Sequence, residues 1–422
     1  MASNVDESTP TAPLGLFAAY GVELEYMIVD AQSLDVRPIA DEVFHAVVGE
    51  ITGEYETPEI SWSNELALHV IELKTTAPAR SLAGLSDAFA SHVRQVADAL
   101  APLGCRLMPT AMHPWMDPHV EMRLWPHDYG EVYAAFDRVF DCTGHGWANL
   151  QSVHLNLPFA DDAEFGRLHA AIRLVLPLLP ALAASSPVMD ARVTGTLDNR
   201  LAVYRTNARR VPSVSGDVIP EAVFTRKDYE EQIFARIYRD IAPHDPGGIL
   251  QFEWLNARGA IARFDRNAVE IRVLDVQECP AADVAIVAAI VAVLKALVGQ
   301  RWSSTAEQMA MASGPLVEQL TATIRDAEAA AIGDPAYLRQ FGVKTTSGET
   351  ITAGELWRRL VAELGVLDGL GAAERAALST ILQRGPLARR ILSAVGPAPD
   401  RAALAKTYGE LSNCLLANRP YS

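Results

Sequence analysis

Gly21-Val22-Glu23-Leu24-Glu25-Tyr26-Met27-Ile28-Val29-Asp30 is the stretch from which the rest of the chain can be read. It alternates aliphatic and acidic residues at its start, the two-residue period of a β-strand. Glu23 and Glu25 then point to one face, and Val22 and Leu24 to the other. Like charges about 7 Å apart on one strand repel, and a divalent cation between them removes the repulsion. Acids on the wet side of an open antiparallel sheet give the same text, so further acids elsewhere must decide between the two.

Three more stretches share the pattern. In Asn64-Glu65-Leu66-Ala67-Leu68-His69-Val70-Ile71-Glu72-Leu73-Lys74, Glu72 sits in an apolar run where an ionised carboxylate needs a metal or a cation such as Lys74. Glu65 has the opposite parity to Glu72 and reaches the same place only through a bend. In Gln151-Ser152-Val153-His154-Leu155-Asn156-Leu157-Pro158, His154 and Asn156 share a face, and His154 offers a ring nitrogen to a metal or a hydrogen-bond partner. In Arg266-Asn267-Ala268-Val269-Glu270-Ile271-Arg272-Val273-Leu274-Asp275, Glu270 and Arg272 share a face. They suit either an ion pair within the sheet or a metal ligand beside a phosphoryl-binding guanidinium. Together the four strands predict a curved antiparallel sheet cupped around metal ligands. Oxygen ligands with one imidazole fit magnesium or manganese better than zinc.

Between the last two stretches, Arg192, Arg200, Arg205, Arg209 and Arg210 stand with Tyr204 in a Ser- and Pro-bearing segment, Ser185 to Arg210. In an acidic chain this reads as a loop that grips carboxylate or phosphate groups. No GxxxxGK[ST] run occurs, and Gly144-His145-Gly146 continues to Asn149 rather than to glycine, so neither common phosphate-loop fingerprint is present. A nucleotide has to be held through metals and arginines.

The chain has 422 residues and a formal charge of −16, enough length for a large core and the wrong sign for a nucleic-acid footprint. Four scattered cysteines signal neither a zinc site nor a disulfide framework. Residues 1–14 are expected to be a disordered leader without the apolar stretch of a secretion signal, which implies a cytoplasmic address. The apolar run Ala281–Val298 carries Asp283 near its start and Lys295 near its end, as a buried core helix would, so no membrane partner is expected. Strands are expected at 21–30, 66–75, 106–109, 151–157, 249–256, 261–264 and 269–275, with helices at 82–100, 129–140, 163–184, 227–240 and 282–298. The fold class is α+β. A catalytic domain spans 15–300, and 301–422 forms a helical segment packed on it.

These motifs, in order GVELEY at Gly21, ELALHVIELKT at Glu65, MHPW at Met112, HLNLP at His154, ASSP at Ala184, DNRLAVYR at Asp198 and EIRVLD at Glu270, resemble the carboxylate–amine ligase family that includes glutamate–cysteine ligases of type 2. The resemblance implies a glutamine synthetase-like sheet with helices on its outer face. It implies Mg2+ or Mn2+ on Glu23, Glu25, Glu65, Glu72, His154 and Glu270, and catalytic roles for Arg272 and Glu72. Substrate and ATP contacts fall to Arg192, Arg200, Tyr204, Arg205, Arg209 and Asn156. The GTHP-like turn of relatives reads here Thr110-Ala111-Met112-His113-Pro114, and no role carries over to His113. The implied reaction joins a carboxylate, glutamate's side chain first, to cysteine or another amine by way of an acyl phosphate. The alternatives are the same chemistry on another carboxylate and amine, or a relative that binds nucleotide and metal without turnover. A homo-oligomer is left open.

Overall fold

A computed structural model describes residues 13–346 and 348–422. The expected leader therefore lies outside the described residues apart from Pro13 and Leu14. One eight-stranded antiparallel sheet organises the molecule, in the order β2-β3-β4-β1-β6-β10-β9. Its strands are β1 (Gly21–Asp30), β2 (Glu54–Tyr55), β3 (Ile60–Asn64), β4 (Val70–Thr75), β5 (Cys105–Met108), β6 (Ser152–Pro158), β9 (Ala260–Arg263) and β10 (Ala268–Asp275). The short strands β7 (Val188–Met189) and β8 (Arg192–Val193) form a separate hairpin. Central β1 pairs with β4 along one edge; on its other edge it pairs first with β6 and then with β5.

Alternation in β1 sorts its two faces. Val22, Leu24, Tyr26 and Ile28 are wholly buried in one core with Phe89 and Val93 of the helix Leu85–Leu100 and Val284 and Ile290 of the helix Pro280–Val298. Each fully buried side chain of this kind contributes about 1.5–3 kcal/mol. The helix Pro280–Val298 is the apolar run singled out above, and 78% of its most apolar window is buried inside the protein, as a core helix requires.

The opposite face departs from a simple outer layer of helices. Met27 and Val29 share the parity of Glu23 and Glu25, and they cluster with Leu387, Ile391, Leu404, Tyr408 and Leu411. These belong to the helices Leu387–Val395 and Arg401–Ala417. The last two helices of the chain thus cover the far end of the acid-bearing face and leave its near end to the acids.

Three expectations need correction. The run 66–75 is not one strand: β4 starts at Val70, and residues 65–69 form a turn after β3, a strand at Ile60–Asn64 that was not among those expected. Residues 249–256 hold turns and a short 3-10 segment, Glu253–Leu255, after the Gly247-Gly248 pair. The arginine segment is not all loop, because Asn199–Asn207 is a helix whose first turn is capped by Asp198 accepting from the Leu201 N–H at 2.8 Å.

Candidate active site

Strand register gathers the acids. Glu72 on β4 stands directly opposite Glu25 on β1, and Glu23 is flanked by Lys74 on β4 and His154 on β6. On the other side of His154, Asn156 lies opposite both Gly21 and Glu270. Glu65 joins through the turn after β3 that replaces the expected strand. One oxygen or nitrogen from each of Glu23, Glu72 and His154 lies within 4.8 Å of the others, and so do one from each of Glu25, Glu65 and Glu72. Gly21 helps to close the row, since a Cβ there would sit 3.0 Å from that of Asn156.

The carboxylates are held at fixed angles. Glu23 accepts from Asn156 Nδ2 at 2.9 Å and meets His154 Nδ1 at 2.8 Å. Glu25 accepts from the backbone N–H and hydroxyl of Ser152 at 2.7 and 3.0 Å. The Ser63 hydroxyl donates to Glu72 at 2.6 Å, and Lys74 lies 3.6 Å from the same carboxylate. Glu270 accepts from Arg272 Nη2 at 2.5 Å and from Arg263 Nη1 at 3.4 Å.

Charge in this volume is arranged unevenly. Burial opposes ionisation of Glu23, yet the His154 imidazole beside it holds its pKa down at about 2. Burial likewise opposes the imidazolium, but Glu23 holds His154 up at about 9. Burial and then Glu25 push Glu65 up to about 7, and burial with Glu23 and Glu65 pushes Glu72 well above the carboxylate range. Crowded acids take up either protons or cations. Four carboxylates with one imidazole are the donor chemistry of a hard divalent ion, so the residues present fit magnesium or manganese.

The expected anion-gripping set divides. Tyr204 is buried next to Arg272. Arg205, one residue on, is half-buried, and Arg192 and Arg209 are exposed. Arg200 is buried and donates through Nη2 to the Arg272 carbonyl at 2.9 Å. His113 is buried as well; its Nε2 lies 2.8 Å from the Leu34 carbonyl, so it supports the turn. Arg263 and Ser63 join the cluster without a sequence expectation, whereas Ser152 shares the face of His154 and Asn156 by its spacing in β6. Arg263 shares with Ile261 the alternation of β9, the one signal that marked it. The Tyr133 hydroxyl, bonded by Asn64 Nδ2 at 3.2 Å, adds a wall near Glu65 and Glu72.

Comparison with known proteins gives a match to the model of glutamate-cysteine ligase family 2 over residues 19–406. The chain belongs to this family. A relative from Archaeoglobus fulgidus, named only as an uncharacterized protein, is 36% identical over 65% of this chain and 74% of its own length. A Corynebacterium efficiens protein provisionally named glutamate–cysteine ligase 2-1 is 29% identical over 44% of this chain. The match spans 46% of that protein, so the chain aligns with about half the length of that relative. A solved structure of glutamate–cysteine ligase from Francisella tularensis, in complex with AMP, superposes with a TM-score of 0.58 at 13% identity, covering 96% of this chain and 89% of that one. At that identity the likeness establishes the fold, a mixed helical and antiparallel-sheet architecture similar to glutamate–cysteine ligase.

Proposed function

We propose that this member of glutamate-cysteine ligase family 2 is an ATP-dependent ligase that joins the γ-carboxylate of glutamate to an amine, cysteine or another. The observation that carries the reading is the convergence of Glu23, Glu25, Glu65, Glu72 and His154 from β1, β4, β6 and the turn after β3. In the proposed reaction the substrate carboxylate attacks the γ-phosphorus of ATP and ADP leaves. The amine then attacks the acyl carbon and phosphate leaves, which forms the amide. No protein nucleophile is needed, in keeping with four buried cysteines.

Glu23, Glu25, Glu65, Glu72, His154 and Glu270 would hold Mg2+ or Mn2+. Bound there, the ions supply neutralisation of the phosphate charge. Arg272, steadied by Glu270, meets the transferring phosphoryl group, and Arg263 secures the other oxygen of Glu270. Ser63 and Ser152 orient Glu72 and Glu25, so the ligand geometry is set before substrate arrives. Glu72, held in the cluster, is proposed to act on the reacting groups, and Asn156 keeps Glu23 aimed. Arg205 meets an anionic substrate; exposed Arg192 and Arg209 act at most as rim cations. The catalytic domain, 15–300, with the helical segment 301–422 packed on it, works in the cytoplasm, its sheet cupped around the reactants.

The test is ADP and phosphate release from the purified chain with Mg-ATP and glutamate, with cysteine and other amines in separate wells. Release that needs both glutamate and an amine is the expected result. Release with a different carboxylate would move the substrate while keeping the chemistry. Absence of release with every pair tried, although ATP binds, would favour the relative without turnover.

A further inference from the structure

Along the β6–β10 ladder the register slips between Ile271 and Leu274, so Arg272 and Val273 occupy a bulge. A bulge bends the strand and re-aims its side chains, and the backbone inside it needs holding from elsewhere. The Arg272 N–H donates to the Gly259 carbonyl at 3.0 Å. The Arg272 carbonyl accepts from Nη2 of Arg200 at 2.9 Å.

Arg200 is in turn fixed on both sides. Its Nη1 lies 3.6 Å from Oδ1 of Asp275, the last residue of β10 beyond the bulge. The other oxygen of Asp275 accepts from the Ser185 N–H at 2.9 Å and from the Ser186 hydroxyl at 3.0 Å. The Ser186 hydroxyl accepts from the Arg200 N–H at 3.1 Å, which closes a ring of Ser186, Asp275 and Arg200. At 2% exposure Arg200 presents nothing to an incoming anion. One turn along its helix, the ring of Tyr204 lies 5.9 Å from the Arg200 guanidinium and beside Arg272.

We infer that Arg200 and Asp275 are positioning residues: they clamp the bulge so that the Arg272 guanidinium is held over the carboxylate cluster. This deepens the proposed function and rests on its assignment of Arg272 to the phosphoryl group. The planar guanidinium donates to the Arg272 carbonyl through Nη2 while Nη1 stays in ion-pair range of the Asp275 carboxylate. A lysine ammonium is a point charge and keeps one of the two at best. Arg200→Lys therefore loosens the clamp while leaving the buried charge balance intact.

The experiment is a double-mutant cycle on the full chain with Arg200→Lys and Arg272→Ala. It reads calorimetric affinity for the magnesium complex of β,γ-imido-ATP, which needs no knowledge of the amine, together with the melting temperature. Loss of a hydrogen bond to a charged group corresponds to about tenfold or more in affinity. Arg272→Ala is expected to weaken binding by about that factor, and Arg200→Lys to weaken it severalfold. In the Arg272→Ala background Arg200→Lys should change nothing further. Asp275→Asn, which keeps acceptors for Ser185 and Ser186, carries the same cycle if Arg200→Lys does not fold. Equal weakening by Arg200→Lys in both backgrounds, or none in either, overturns the clamp and leaves the ligase reading standing. Unchanged binding by Arg272→Ala removes that arginine from the nucleotide and the clamp with it. Failure of the wild-type chain to bind the magnesium nucleotide overturns the ligase reading itself.

Discussion

Glu25 and Glu72 face each other directly across the antiparallel pair of β1 and β4, two carboxylates where cross-strand packing ordinarily opposes unlike charges. Replacing one of them should relieve repulsion in the ion-free protein and weaken its response to cations. Glu72→Gln should melt at or above the wild-type temperature without divalent ions. Wild type should gain about 1.4 kcal/mol with Mg2+ at ten times its Kd, and the variant markedly less. Thermal melting with and without MgCl2 checks this; an equal gain in both proteins would contradict it.

Glu23 accepts from Asn156 and meets His154 at a partly hydrated edge, away from the aliphatic core. Glu23→Gln keeps the shape and removes a ligand charge. It should fold with a single melting transition while turnover drops by at least about 100-fold, the scale of losing one preorganised electrostatic contact. Steady-state ADP release measures it, and wild-type turnover would remove Glu23 from the cluster's function.

Arg272 donates to Glu270 through two N–H groups and sits in the bulge of β10. Arg272→Ala should lower kcat by about 10²–10³-fold if the guanidinium meets charge that develops during phosphoryl transfer. A pure ion-pair role predicts lost stability with kcat unchanged, so kinetics and melting together separate the two.

His169, wholly buried and stacked on Phe165 with ring centroids 5.3 Å apart, has its pKa lowered to about 3 by burial and then by Arg173. The unfolded chain binds that proton near 6.5. Stability from this site is thus full above pH 6.5 and falls as pH drops toward 3, by about 2 kcal/mol at pH 5. His169→Phe should abolish that part of the pH dependence. Urea unfolding at pH 7.5 and pH 5 tests it, and an equal acid loss in the variant would refute the assignment.

The site was more legible in the sequence than the frame around it. β1, β6 and β10 announce themselves because each half-buried strand puts aliphatic residues on the core side and its charged and polar side chains on the other. Glu65 was recognised as needing a bend, but the turn at 65–69 was hidden inside an apolar run that looked like unbroken strand. The helix Asn199–Asn207 was missed because its arginines and asparagines mask the helical period, although Asp198 before it was a usable cap signal. The burial of Arg200 leaves no trace in the sequence, which gives charge and not burial. The cover that Leu387–Val395 and Arg401–Ala417 lay over Met27 and Val29 is a long-range contact with no local trace.

Glu23, Glu25, Glu65, Glu72 and His154 are proposed as a divalent-cation centre for ATP. Titration of Mn2+ into the full chain, with free ion followed by electron paramagnetic resonance and with β,γ-imido-ATP present or absent, addresses it without any knowledge of the amine. Saturable Mn2+ binding is expected that tightens with nucleotide and weakens by about tenfold or more in Glu23→Gln, the scale of one lost charged contact. Equal Mn2+ binding by wild type and variant, or no saturable binding by either, would contradict it.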